Sequence, residues 1–198
     1  MSISKDMRIC FVGDSFVNGF GDEDLLGWSG RLVKMSRSDD LEITYYNLGI
    51  RRNTTADVKE RWESECRARL PEGSDNIVVF SFGVNDTVIE KNELRVAKEQ
   101  SLENVGTILT GASKKYKVRM IGPPPIEDPN QNLRIKELDQ AFQFLCDKLE
   151  IPYLSIFDHL LGQPIWLKEV SSNDGAHPHS GGYSLLAGFV NTWDQWKF

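Results

Sequence analysis

Again and again along this chain, a short apolar run stops at glycine or proline and a stretch of helical periodicity follows. Arg8 to Gly13 is nearly all apolar and closes on glycine, as a buried strand does. Glu42 to Leu48 is rich in β-formers (Ile43, Thr44, Tyr45, Tyr46) and ends at Gly49. Asn76 to Phe82 ends at Gly83, and Val118 to Gly122 is cut off by Pro123, Pro124 and Pro125. Ile151 to Ile156 is a short fifth run. Between the runs lie helical stretches at Trp28 to Ser36, Thr55 to Leu70, Glu93 to Tyr116, Asn132 to Leu149 and Gly181 to Trp196. In the second of these Val58, Trp62 and Cys66 fall on one face, and in the fourth Leu133, Leu138, Phe142 and Leu145 recur at helical spacing. Strands that are apolar throughout are buried on both faces. Alternated with amphipathic helices, they predict an α/β fold, a parallel sheet of five strands covered on both sides.

A chain of 198 residues fits one domain, residues 1 to 198, with no repeat, linker or low-complexity tract. A net charge of -6 argues against a nucleic-acid partner, which requires a clustered basic face. The densest basic stretch, Lys114, Lys115 and Lys117, reads as a solvated helix end. No run approaches the ~20 apolar residues of a membrane span, and the segment from Met1 to Arg8 lacks the apolar core of a signal peptide. Cys10, Cys66 and Cys146 form no CxxC pair, so they read as buried, reduced thiols and point to the cytoplasm. Three loops are long or rich in glycine and proline: Asn18 to Gly27, Pro123 to Gln131 and Phe157 to His179.

The polar residues that break the pattern fall at strand ends. Gly13-Asp14-Ser15 ends the first run, Asn47-Leu48-Gly49 the second and Gly83-Val84-Asn85-Asp86 the third. Ligands of open α/β sheets bind outside the carboxyl ends of the strands, where strand order reverses. In a flavodoxin-like order, 2-1-3-4-5, Ser15 lies between Gly49 and Asn85. A hydroxyl with a backbone amide and a side-chain amide beside it is the geometry of a nucleophile with an oxyanion hole. Serine needs a base, and the candidate is the segment Asp174-Gly-Ala-His177-Pro178. Spacing of three lets the Asp174 carboxylate reach the near nitrogen of His177 and leaves the far nitrogen for Ser15. The fifth strand lies away from the first in this order, but the roughly twenty residues from Phe157 to Ala176 span the ~10–15 Å of two or three strand spacings.

Gly-Asp-Ser near the start, a glycine after the second strand, Gly-x-Asn-Asp after the third and Asp-x-x-His-Pro near the end together resemble the four blocks of SGNH/GDSL-type hydrolases. The resemblance runs from residue 8 to residue 190, with phenylalanine where leucine often follows the serine. It implies a three-layer α/β/α fold and ester or thioester hydrolysis of a small-molecule substrate with no metal or cofactor. It further implies Ser15, Asp174 and His177 as the triad. The implied oxyanion donors are Ser15 N–H, Gly49 N–H and the Asn85 amide. Other readings of the same residues stay open. Ser15 alone is a good helix cap, and Asp14 shapes the turn without a chemical role. Asp86 bonds local N–H groups, and His159 lies in the last long loop. Phe16, Phe20, Trp28 and Trp166 serve the core or a pocket. Asp14, Asn85, Asp86, His177 and His179 would suit a metal-dependent phosphoesterase, and a non-catalytic binding module would need only the fold.

Overall fold

The computed structural model describes residues 5–197. Residues 1–4, part of the segment read as leader-free, lie outside the described residues. Five parallel strands form one sheet: β1 (Lys5–Gly13), β2 (Leu41–Gly49), β3 (Asp75–Ser81), β4 (Lys117–Ile121) and β5 (Tyr153–Leu154). Their order is β2-β1-β3-β4-β5, as the strand-end reading requires. Gly13 pairs with Gly49 on one side and with Ser81 on the other, so the three ends that carry polar residues are in register.

Alternation along the strands divides the apolar residues between two faces. Met7, Ile9, Phe11, Ile77 and Val79 join one core cluster, while Cys10, Val12, Val78 and Phe80 join the other. On the first face lie α1 (Ser15–Asn18), α2 (Gly27–Met35), α6 (Phe157–Leu161), α7 (Pro164–Ser172) and α8 (Ser180–Asn191), with Trp28, Leu32, Trp166 and Tyr183 buried there. On the second lie α3 (Thr55–Arg67), α4 (Lys98–Ser113) and α5 (Pro129–Lys148), with Trp62, Ile108 and Phe142 buried. The result is helix, sheet, helix. No helix among the described residues is long and apolar enough to cross a membrane.

Several elements differ from the sequence reading. Glu93 and Leu94 belong to an antiparallel ribbon with Ile89 and Glu90, not to a helix. The connection, Lys91-Asn92, has φ of 53° and 67°, the pair of positive values a tight hairpin turn needs. The helix therefore starts at Lys98, after extended Ala97. The segment 157–179 is not an open loop, because α6 and α7 fill much of it. Proline opens α7, where its missing N–H costs nothing, and Trp166 and Val170 anchor it. The last helix stops at Asn191, and Asp194–Trp196 form a separate 3-10 turn. Cys10 and Cys66, distant in sequence, are free thiols that share the second core, and a hydrogen bond between them together with burial pushes the Cys66 thiol well up.

Candidate active site

Ser15 opens α1 directly off the end of β1. The Asp14 side chain caps this short helix by accepting the Phe16 N–H at 3.0 Å, and Gly19, left-handed at φ 83°, ends it. So tight a strand-to-helix turn needs Gly13 behind it, since a Cβ there would lie 1.9 Å from the Ser81 carbonyl oxygen. The Gly13 carbonyl is held by Ile50 N–H at 3.0 Å and by the Arg61 guanidinium at 2.8 Å.

The tail segment is shaped by its own aspartate. Asp174 Oδ1 accepts the N–H groups of Ala176 at 3.0 Å and His177 at 2.8 Å, with Gly175 between them at φ 80°. This turn carries the imidazole back over its carboxylate, so that His177 Nδ1 lies 2.8 Å from Asp174 Oδ2. His177 Nε2 lies 2.7 Å from Ser15 Oγ. A carboxylate only accepts, so Nδ1 carries the proton and Nε2 is left to accept from the Ser15 hydroxyl. Burial lowers the His177 pKa below its ordinary value, Asp174 opposes that shift, and the nearby Arg51 charge adds to it. Burial works to raise Asp174, but its bonds to the His177 and Ala176 N–H groups and to the ring hold it below the usual carboxylate value.

The amides expected beside Ser15 are arranged less simply. Asn85 comes from the 3-10 turn after β3, and its Nδ2 donates to Asn53 O at 3.1 Å and to Asp14 Oδ2 at 3.4 Å. Gly49 N–H donates to Asn47 Oδ1 at 3.0 Å, so this donor is engaged within its own strand end. Gly49 answers to a steric demand as well, because a Cβ there would lie 2.1 Å from the backbone N of Asn18. Asp86 is buried and bonds residues far off in the chain: Thr55 N–H at 2.9 Å, Thr55 Oγ1 at 2.6 Å and Ser101 Oγ at 2.6 Å. His179 turns away to Glu23, at 2.6 Å, and His159 stacks on Phe189 at 3.6 Å between ring centroids. The phosphoesterase set thus does not converge, and no three His, Cys, Asp or Glu residues among those described could hold a metal together.

Of the aromatic candidates, Trp28 and Trp166 are core, fully buried. Phe16 and Phe20 instead flank the imidazole, with ring centroids 4.7 Å and 5.0 Å from that of His177. Sequence reasoning passed over Asn47, whose Nδ2 ties β2 to α1 through Val17 O at 2.7 Å, and Asn53, which holds Asn85. The position of Asn47 at the end of β2 was the available signal; Asn53 lies beyond it, just ahead of α3.

The sheet, its two helical layers and a linked hydroxyl, imidazole and carboxylate at the strand ends have the architecture of a carboxylic ester hydrolase. The chain belongs to the GDSL-like lipase/acylhydrolase family, whose model matches residues 11–185. A lipase/acylhydrolase from Enterococcus faecalis is similar at 25% identity and a TM-score of 0.75, over 93% of each chain. An acetylxylan esterase from Geobacillus stearothermophilus shares the fold at 17% identity and a TM-score of 0.77, over 100% of this chain and 99% of that one. The psychrotrophic esterase EstA of a Pseudoalteromonas species does so at 15% identity and 0.71, over 96% and 97%. Among curated proteins there is no sequence match.

Proposed function

We propose that the chain is a serine esterase that hydrolyses carboxylic esters of a small or lipid-like substrate, thioesters included, through an acyl-enzyme on Ser15. The reading is carried by one observation, the continuous line from Asp174 Oδ2 to His177 Nδ1 at 2.8 Å and from His177 Nε2 to Ser15 Oγ at 2.7 Å. His177 takes the hydroxyl proton as Ser15 Oγ attacks the ester carbonyl, and Asp174 stabilises the imidazolium. The proton then passes to the leaving alcohol as the C–O bond breaks. Water, deprotonated by His177 in turn, attacks the acyl-enzyme and releases the acid and free Ser15.

The oxyanion needs donors at the moment it forms. Ser15 N–H, in the first turn of α1, belongs to the backbone groups a helix leaves without an internal partner. The Asn85 amide joins it by exchanging its 3.4 Å contact with Asp14 for the oxyanion. Gly49 N–H contributes only if it leaves Asn47. The first test is 4-nitrophenyl acetate hydrolysis and labelling by a fluorophosphonate. Ser15→Ala should abolish both, and unchanged turnover in that variant would sink the proposal. A panel of acyl lengths, acyl-CoA and acetylated sugars then sorts the substrate.

A further inference from the structure

Beside the Ser15–His177 pair lies a cation for which the described residues supply no counter-ion. Arg51 is exposed, and its Cζ sits 3.4 Å above the centroid of the Phe20 ring. Phe20 meets His177 edge-on. Neighbouring arginines are committed to carboxylates: Arg52 to Glu90, Arg61 to Glu65, Arg31 to Asp22 and Asp24. Among the described residues Arg51 has no ion pair and no hydrogen bond.

A guanidinium carries its N–H donors in a rigid planar fork. Stacking on a ring fixes that plane and leaves the donor edge open, the arrangement that captures a carboxylate or phosphate through two parallel hydrogen bonds. The charge also bears on the proposed chemistry. It disfavours protonation of His177, yet the imidazolium must form as Ser15 attacks. An anion seated on Arg51 removes that penalty in the transition state, where stabilisation raises the rate.

We infer that Arg51 binds an anionic group, a carboxylate or a phosphate, on the alcohol half of the ester and so makes the enzyme favour such substrates. The side follows from proton traffic. His177 delivers its proton to the leaving oxygen, so the alcohol lies beside the imidazole, on the flank where Phe20 carries Arg51. The inference rests on the serine-esterase reading.

It is tested by comparing kcat/KM of the wild type with that of Arg51→Gln, Arg51→Glu and Arg51→Lys. The substrates are methyl 4-acetoxybenzoate (neutral), 4-acetoxybenzoate and 4-acetoxyphenyl phosphate (anionic alcohol halves), with 4-nitrophenyl acetate against mono-4-nitrophenyl succinate for an acyl-side anion. The neutral ester carries the effect of Arg51 on His177 basicity alone, and the ratio of anionic to neutral isolates what an anion seated on Arg51 adds. For the alcohol-side pairs that ratio should fall about ten-fold in Arg51→Gln, the low end for a hydrogen bond to a charged group. It should fall further in Arg51→Glu and be partly kept in Arg51→Lys. The carboxylate and phosphate arms show which anion gains more. Salt at about 0.5 M should erode the wild-type preference by screening. A ratio unmoved by Arg51→Gln, or moved only for the acyl-side pair, overturns the inference alone. No hydrolysis of any of these esters by the wild type overturns the esterase reading and the inference with it.

Discussion

Asp14 is a carboxyl held away from water one residue before Ser15. Burial pushes its pKa up to about 7, against the pull of the Phe16 N–H, and the charge of Asp86 adds to the rise. An unfolded aspartate titrates near 3.9, so between roughly pH 4 and 7 the folded chain holds the proton the unfolded chain releases. Stability from this group is fully present below about pH 4 and is lost as pH climbs through 7, with an upper limit of roughly 4 kcal/mol. Asp14→Asn should therefore flatten the fall of the urea midpoint between about pH 4 and 7. The same carboxyl holds Asn85. Asn85→Ala should lower kcat by about two to three decades, with little change in melting temperature, since Asn85 is only half-buried; a loss of less than about three-fold would remove it from the oxyanion hole. Ser15, Asp174 and His177 were legible because strand ends and a spacing of three are visible in a sequence. The partners of Asp14, Asn85 and Arg51 were not, because each contact joins segments that only the folded sheet brings together.

At the scale of elements, α1 lies so close to the end of β2 that Gly49 is a point of contact rather than a hinge. Gly49→Ala would force Asn18 and β2 apart and should destabilise by about 1–3 kcal/mol or more, as overpacked sites do. Activity should fall with it, because the displaced helix carries Ser15; chemical denaturation and ester turnover measured together would show this. A normal midpoint in that variant would mean the helix shifts freely. Runs that are apolar throughout made the strands readable. The hairpin at 89–94 was hidden because its turn is Lys91-Asn92, with no glycine to mark it. Similarly, α6 and α7 are too short for periodicity to show above background.

Across the whole molecule, Arg31 binds the two ends of the chain. All of its donors are used, on Asp22, Asp24, Gly27 O and Ser184 Oγ. It thereby fastens the loop that carries Phe20 to α8, and Tyr183 Oη adds a bond to Phe20 O at 2.7 Å. Arg31→Met leaves Asp22 buried without its counter-ion, held only by the N–H groups of Asp24, Leu26 and Gly27, so it should cost up to about 3–5 kcal/mol, read as a lowered urea midpoint; a cost below ~1 kcal/mol would mean that solvent reaches Asp22. Nothing in the spacing of Asp22, Arg31 and Ser184 announces this clamp, whereas the covered parallel sheet was legible from the alternation of strands and helices.

Ser15 and His177 meet across 162 positions of chain. Closing a loop of that span costs more chain entropy than any local turn, and contacts so distant in sequence slow folding. On the proposed chemistry, reactive Ser15 exists only once this long-range contact with His177 has formed. A covalent probe of that hydroxyl therefore reports whether residues 15 and 177 have been brought together, not whether β1 alone has formed.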